Sequence, residues 1–192
     1  MPRFLESILS MIILEYFKKE DFQQLIDWVS DDHLMTNWAG SLFSFPLTAE
    51  KLDWYISDTN DLEKSDALVY KAIDTDKGNI VGHISLGGIS RKNNAARISR
   101  VLIGNTAERG KGFCVGMIKA VCKIGFEDLK LHRISLGVYN FNISAIKCYE
   151  KSGFVTEGVF RDVLRYNDTY WNLVEMSMLE DDWRSLNGFI NA

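Results

Sequence analysis

The stretch from Val101 to Phe126, V-L-I-G-N-T-A-E-R-G-K-G-F-C-V-G-M-I-K-A-V-C-K-I-G-F, constrains this chain more than any other. It reads as an apolar strand, a short polar turn carrying Arg109, Gly110, Lys111 and Gly112, and then a helix with apolar residues at helical spacing. A strand that feeds a glycine turn at a helix start makes an anion site. The first backbone N–H groups of a helix have no partner inside it, and the aligned peptide dipoles place partial positive charge there. Glycines let that backbone approach a phosphate with no side chain in the way. Arg109 and Lys111 add formal charge beside it. The spacing of Gly110, Gly112 and Gly116 is G-x-G-x-x-x-G, which departs from the dinucleotide fingerprint, and it lies past mid-chain. A Walker-type loop is excluded, since no Gly-Lys is followed by Ser or Thr at the required spacing. On these residues alone, an ordinary basic surface turn stays open beside the phosphate site.

A chain of 192 residues with 46% hydrophobic content can bury a sizeable core as one domain, without disulfide or metal. Its formal net charge of −4 argues against a nucleic-acid surface. No apolar run approaches membrane-spanning length, and Glu6 and Glu15 break the pattern of a signal peptide, so the expected location is the cytoplasm. Cys114, Cys122 and Cys148 form an odd set without a C-x-x-C pair, and reduced, buried thiols are expected. No histidine grouping suggests a metal.

In chain order, residues 1–10 read as an extension, 11–182 as the domain and 183–192 as a tail. Met11 to Phe17 opens as a strand, followed by a helix pair from Lys19 towards Trp38 and a third helix capped by Thr48. Trp38, Phe43, Phe45, Trp54 and Tyr55 are expected mainly in the core, with an acceptor-pocket wall as the alternative. Ala67 to Ile73 and Ile80 to Leu86 form a hairpin, and His83 on its second strand reads as a hydrogen-bonded core residue. Gly87, Gly88 and Arg91 to Asn94 read as a turn into a third antiparallel strand, Ala95 to Gly104. The helix after the glycine turn makes Arg133 to Tyr139 parallel to that strand. A helix from Ile143 to Ser152 then precedes strands Phe154 to Phe160 and Tyr170 to Leu179, with Arg161 to Asp168 as their connection.

Asn142 and Tyr149 are seven positions apart, two helical turns, and so share a face. Asn142 serves equally as an N-cap and Tyr149 as a packed residue. The run R-G-K-G-F-C followed by L-G-V-Y-N-F-N-I-S-A-I-K-C-Y-E-K-S-G-F resembles the GNAT superfamily of N-acetyltransferases, most of all the ribosomal-protein N-terminal acetyltransferases (RimJ/RimL type). The resemblance implies an α/β (α+β) fold, a central mixed, mostly antiparallel sheet of about seven strands flanked by about four helices. It implies that Arg109, Gly110, Lys111, Gly112, Phe113 and Cys114 hold the pyrophosphate of acetyl-CoA. Leu102, Ile103 and Gly104 would pair with the pantetheine arm, Asn142 would contact the cofactor, and Tyr149 would protonate the departing thiolate. Two features depart from the family pattern. Cys114 stands where the loop usually ends in Gly or Ala, and Arg97 and Arg100 lie on a strand where several relatives carry a glutamate that could serve as a base.

The implied activity is acetyl-CoA-dependent N-acetyl transfer to a primary amine, first a protein or peptide N-terminal α-amine. A small-molecule amine (amino acid, polyamine or antibiotic) is the alternative, and a non-catalytic acyl-CoA-binding module is the reading from another class. No metal, nucleic acid or membrane is implied as a partner, and relatives often pair, so a homodimer is an expectation.

Overall fold

The computed structural model describes residues 12–105, 107 and 109–188; the extension expected over 1–10 lies outside them. Seven strands form one sheet in the order β1-β2-β3-β4-β5-β7-β6. Along the chain these are β1 (Ile12–Tyr16), α1 (Phe22–Trp28), α2 (Asp32–Ala39), α3 (Ala49–Tyr55), β2 (Ala67–Asp74), β3 (Ile80–Ser90) and β4 (Ala95–Ile103). Then come α4 (Phe113–Lys123), β5 (Arg133–Tyr139), α5 (Ile143–Lys151), β6 (Val155–Tyr166), β7 (Thr169–Leu179) and α6 (Glu180–Leu186). The described residues thus hold six α-helices rather than about four, because the segment after Lys19 splits into short helices and α6 follows the last strand.

Every neighbouring strand pair is antiparallel except β4 and β5. Helix α4 crosses between those two, which forces them parallel. The apolar stripe of α4, Met117, Ile118 and Val121, is wholly buried on one side of the sheet. Leu25, Met35 and Leu52 of α1, α2 and α3 build a second core with Val69 and Leu102. Thr48 caps α3 as expected, accepting from the Lys51 N–H, and Asp31 does the same for α2 from Leu34.

Two strands outrun their sequence signals. β3 continues through Gly87 and Gly88 to Ser90, where a turn was expected; Gly88 takes a positive φ of 56° at a register shift, and Ile89 is buried beyond it. Glycine punctuates this strand with a bulge instead of ending it. Likewise β6 runs to Tyr166, so that only Asn167 and Asp168 turn the hairpin and Arg161 to Tyr166 is strand, not connection. A bulge between Phe160 and Leu164 interrupts the pairing with β7, with Asn172 Oδ1 accepting from the Asp162 N–H at 2.8 Å. Helix α6 crosses the boundary set at 182 and buries Trp183 against Phe126.

His83 is a core histidine, as its place on β3 predicts. It is 1% exposed among Phe17, Trp38 and Tyr55, with Nδ1 3.1 Å from the Arg100 carbonyl. A carbonyl only accepts, so Nδ1 carries the proton and donates, while Nε2 is buried without a partner. Burial lowers its pKa from 6.5 to about 4. The unfolded chain therefore binds a proton that the folded chain refuses between those values, and stability falls as pH drops through that window. Relative to His83→Gln, the wild type is expected to lose about 3 kcal/mol of unfolding free energy between pH 7 and pH 4. Urea titrations across the range check this, and a constant wild-type-to-variant difference contradicts it.

Candidate active site

The parallel pairing of β4 with β5 is short. It covers Ala95 to Ile98 against Arg133 to Leu136 and then stops, so Ser99–Ile103 and Gly137–Tyr139 diverge. On its other edge β4 stays bonded to β3, with Leu102 opposite His83, Ile103 opposite Gly82, and the Gly104 N–H donating to Val81. Backbone groups alternate sides along a strand, so Val101 and Ile103 turn theirs towards the splay. A bulge precedes this segment: Arg100 has a φ of 53°, and its carbonyl accepts from Trp38 Nε1 at 2.9 Å as well as from His83. Those two buried donors hold a backbone conformation that non-glycine residues rarely adopt.

The splay is one wall of a cleft of about 770 Å³. Leu102, Ile103, Arg109, Gly110, Gly112, Phe113, Cys114, Asn142 and Tyr149 all line it, which brings together nine of the eleven expected site residues. Gly104 and Lys111 do not. A Cβ on Gly104 would lie 2.0 Å from the Trp28 ring, so this glycine serves close packing. Gly110 and Gly112 have φ of 80° and 89°, and nothing lies within 4 Å of a Cβ built on either. Both are glycine because of backbone conformation, and the space before them is open. Gly112 is the N-cap of α4, and Phe113, Cys114 and Val115 of its first turn line the same opening. Arg109, Lys147 and Lys151 supply cations at this end. A turn of bare amides, a helix start and three cations fit a diphosphate.

Asn142 caps α5. Its Oδ1 accepts from Ala145 N–H at 3.2 Å and Ser144 Oγ at 3.1 Å, which leaves the amide NH2 as the group able to donate into the cleft. Tyr149 is 6% exposed, and desolvation raises its pKa above the ordinary 10. The phenol therefore keeps its proton across the physiological range.

The cysteine expectation needs correcting at two positions. Cys114, in the first turn of α4, and Cys148, next to Tyr149 on α5, form a disulfide with Cα atoms 6.3 Å apart. Sequence spacing could not show that the two helices lie side by side with these thiols facing. Cys122 is free and buried, as expected, and burial raises its pKa.

Sequence reasoning missed the other end of the cleft. Arg97 projects across β5, donating from Nη2 to Glu175 Oε2 at 2.8 Å and from Nη1 to Glu175 Oε1 and Ser135. Gly137 lets it pass, since a Cβ there would lie 2.4 Å from Nη2. His33, Asn37, Trp38, Tyr139 and Leu173 complete this end, with His33 packed on Phe141, Tyr166 and Trp171. Of the aromatic loop, Trp38, Phe43 and Tyr55 are core, Phe45 and Trp54 are exposed, and Trp38 alone of these five reaches the cleft.

The sequence matches the acetyltransferase (GNAT) domain family over residues 11–155. It is 29% identical over 158 residues to the SPbeta prophage-derived uncharacterized N-acetyltransferase YokL of Bacillus subtilis, covering 82% of this chain and 85% of that one. It is also 29% identical over 105 residues to the spermidine N(1)-acetyltransferase of Vibrio cholerae, covering 55% of this chain and 60% of that one. The solved spermidine N-acetyltransferase from Vibrio cholerae, in complex with CoA and spermine, superposes with a TM-score of 0.78 at 22% identity, over 91% of this chain and 98% of that one. With the short β4–β5 pairing, the glycine turn and the buried tyrosine in one cleft, these matches show that the chain belongs to the GNAT family and is an acetyl-CoA-dependent N-acetyltransferase.

Proposed function

We propose that acetyl-CoA lies through the β4–β5 splay with its diphosphate on the amides of Gly110 to Cys114, its pantetheine along Val101 to Ile103 and its sulfur towards Tyr149. The observation that supports this most is that all three features line one continuous cleft. Acetyl-CoA supplies a thioester carbonyl and a thiolate leaving group. The protein supplies positioning, backbone N–H groups beside β4 for developing negative charge, Asn142 as a donor, and a phenolic proton at Tyr149 Oη.

For the acceptor we favour an α-amine, such as a protein or peptide N-terminus or an amino acid. Among the described residues no Asp or Glu lines the cleft, and Glu175 is held by Arg97. An α-amine with a pKa near 8 is partly neutral at cellular pH, whereas a lysine-like amine near 10.4 needs a base to give up its proton. The branch resemblance in R-G-K-G-F-C and N-F-N-I-S-A-I-K-C-Y supports the same choice. The test is thiol release from acetyl-CoA with matched α- and ε-amines. The reading predicts release well above background, faster with α-amines below pH 8; tight acetyl-CoA binding without release on any amine would favour a binding module.

A further inference from the structure

Arg100 is a half-buried cation lining the cleft whose partners among the described residues are all neutral. Its Nε donates to Tyr55 Oη at 2.9 Å, and its guanidinium carbon lies 4.8 Å over the Tyr55 ring. Its neighbour His83 is unprotonated above pH 5, because its own pKa is pushed down to about 4. Among the described residues no carboxylate pairs with Arg100, although Arg97, three residues earlier, is gripped by Glu175. A partly buried guanidinium loses some of its hydration, and a group of opposite charge that meets it offsets that cost. Here the phenol and its ring fix the guanidinium in one pose, which leaves its terminal N–H groups for a ligand.

Position decides which ligand that is. Tyr55 and Trp38 belong to the core built on α1, α2 and α3, whereas Cys114 and Phe113 of the diphosphate turn sit with the core on the other side of the sheet. Arg100 therefore lies across the sheet from Arg109, Lys147 and Lys151, on the side where an acceptor must enter. The acceptor end, lined by His33, Asn37, Trp38, Arg97, Arg100 and Tyr139, holds Arg97 neutralised by Glu175 and Arg100 with no carboxylate partner among the described residues, and no Asp or Glu of those residues lines the cleft. A polyamine would set a further ammonium group against the Arg100 guanidinium, with no carboxylate of the described residues lining the cleft to pair it.

We propose that Arg100 is a specificity residue that pairs with a carboxylate on the acceptor, so that the substrate is an α-amine bearing a carboxylate a few atoms away. This rests on the acetyl-transfer reading above. The shared chemistry is met by a free amino acid, through its α-carboxylate, or by a peptide whose first side chain is acidic. No covalent step is added: Arg100 stays protonated and acts by a charge-assisted hydrogen bond.

The experiment measures kcat/KM for acetyl-CoA-dependent thiol release with matched pairs. These are an Asp-initiated peptide against its Asn twin, glutamate against its α-amide, and spermidine as the polycation. The carboxylate member of at least one pair is expected to exceed its amide by tenfold or more, with spermidine below both, and the pair that shows the gap identifies the source. Arg100→Gln is expected to shrink that ratio to within about threefold, while Arg100→Lys, which keeps the charge without the fork, retains part of it. Because the wild-type ratios are read without any variant, a misfolded Arg100→Gln leaves the test intact. Amide twins or spermidine turned over as well as the carboxylates overturn the proposal, as does a gap that survives in folded Arg100→Gln. If acetyl-CoA raises the melting temperature but no amine is acetylated, the acetyl-transfer reading itself fails and takes this one with it.

Discussion

Tyr149→Phe is expected to lower kcat by about 10²- to 10³-fold while leaving the KM for acetyl-CoA within a few-fold of wild type, the range for loss of a positioned general acid. The substitution removes one oxygen and keeps a ring that is 6% exposed and packed near Phe154. Even an ordinary phenol near pKa 10 gives its proton to a thiolate near 8.5 only at a cost of about 2 kcal/mol. Desolvation raises Tyr149 further, so stepwise transfer becomes harder still. In the proposed role the proton therefore moves as the C–S bond breaks, when charge on sulfur is developing. The sign of the shift also fixes the pH profile. A raised phenol stays protonated, so kcat should rise with deprotonation of the amine and then stay level to about pH 9.5. Stopped-time assays with saturating substrates measure this. A falling limb between pH 8 and 9.5 that disappears in Tyr149→Phe would contradict the raised pKa, and a kcat unchanged in Tyr149→Phe would contradict the proton-donor role.

The Cys114–Cys148 disulfide carries the second large expectation. The bond closes a loop with a sequence separation of 34, joining the helix that starts at the diphosphate turn to the helix that carries Tyr149. Chain-entropy arguments put the stabilisation from a loop of this length at about 3 to 4 kcal/mol. In a chain of this size that corresponds to a melting temperature about 10 °C lower after reduction. Cys148→Ser should reproduce the drop and be insensitive to further reductant. Thermal melts with and without dithiothreitol, on wild type and variant, decide it. Equal melting temperatures for oxidised wild type and Cys148→Ser would show that the bond does not hold these helices together. Because both sulfurs sit beside the candidate cofactor contacts, the KM for acetyl-CoA should be read in the same two states.

The parts of this site that could be read in the sequence are those whose cause is local. Gly110 and Gly112 mark a turn that needs positive φ, the apolar spacing of Met117, Ile118 and Val121 marks a helix lying on a sheet, and Asn142 and Tyr149 share a face by helical geometry alone. The parallel pairing of β4 and β5 follows from the crossover between them.

What could not be read depends on residues far apart in the chain. The bulge at Arg100 is held by Trp38, 62 residues away, and by His83, 17 away. The salt bridge from Arg97 to Glu175 spans 78 positions and needs Gly137 beneath it, so from sequence the β4 arginines looked only like the loss of a base. The two thiols meet because α4 and α5 pack together, and β6 outruns its pattern because it is an edge strand exposed along most of its length, with a bulge in its pairing to β7. Glycine misled in the opposite direction at Gly87 and Gly88, where a residue that so often ends a strand bends one instead.

The most direct measurement is a crystal structure of the protein grown with acetyl-CoA. The diphosphate should rest on the peptide N–H groups from Gly110 to Cys114, with the pantetheine between β4 and β5 and the sulfur within hydrogen-bond reach of Tyr149 Oη. A cofactor bound elsewhere, or a phenol turned away from the sulfur while the diphosphate is in place, would contradict the account.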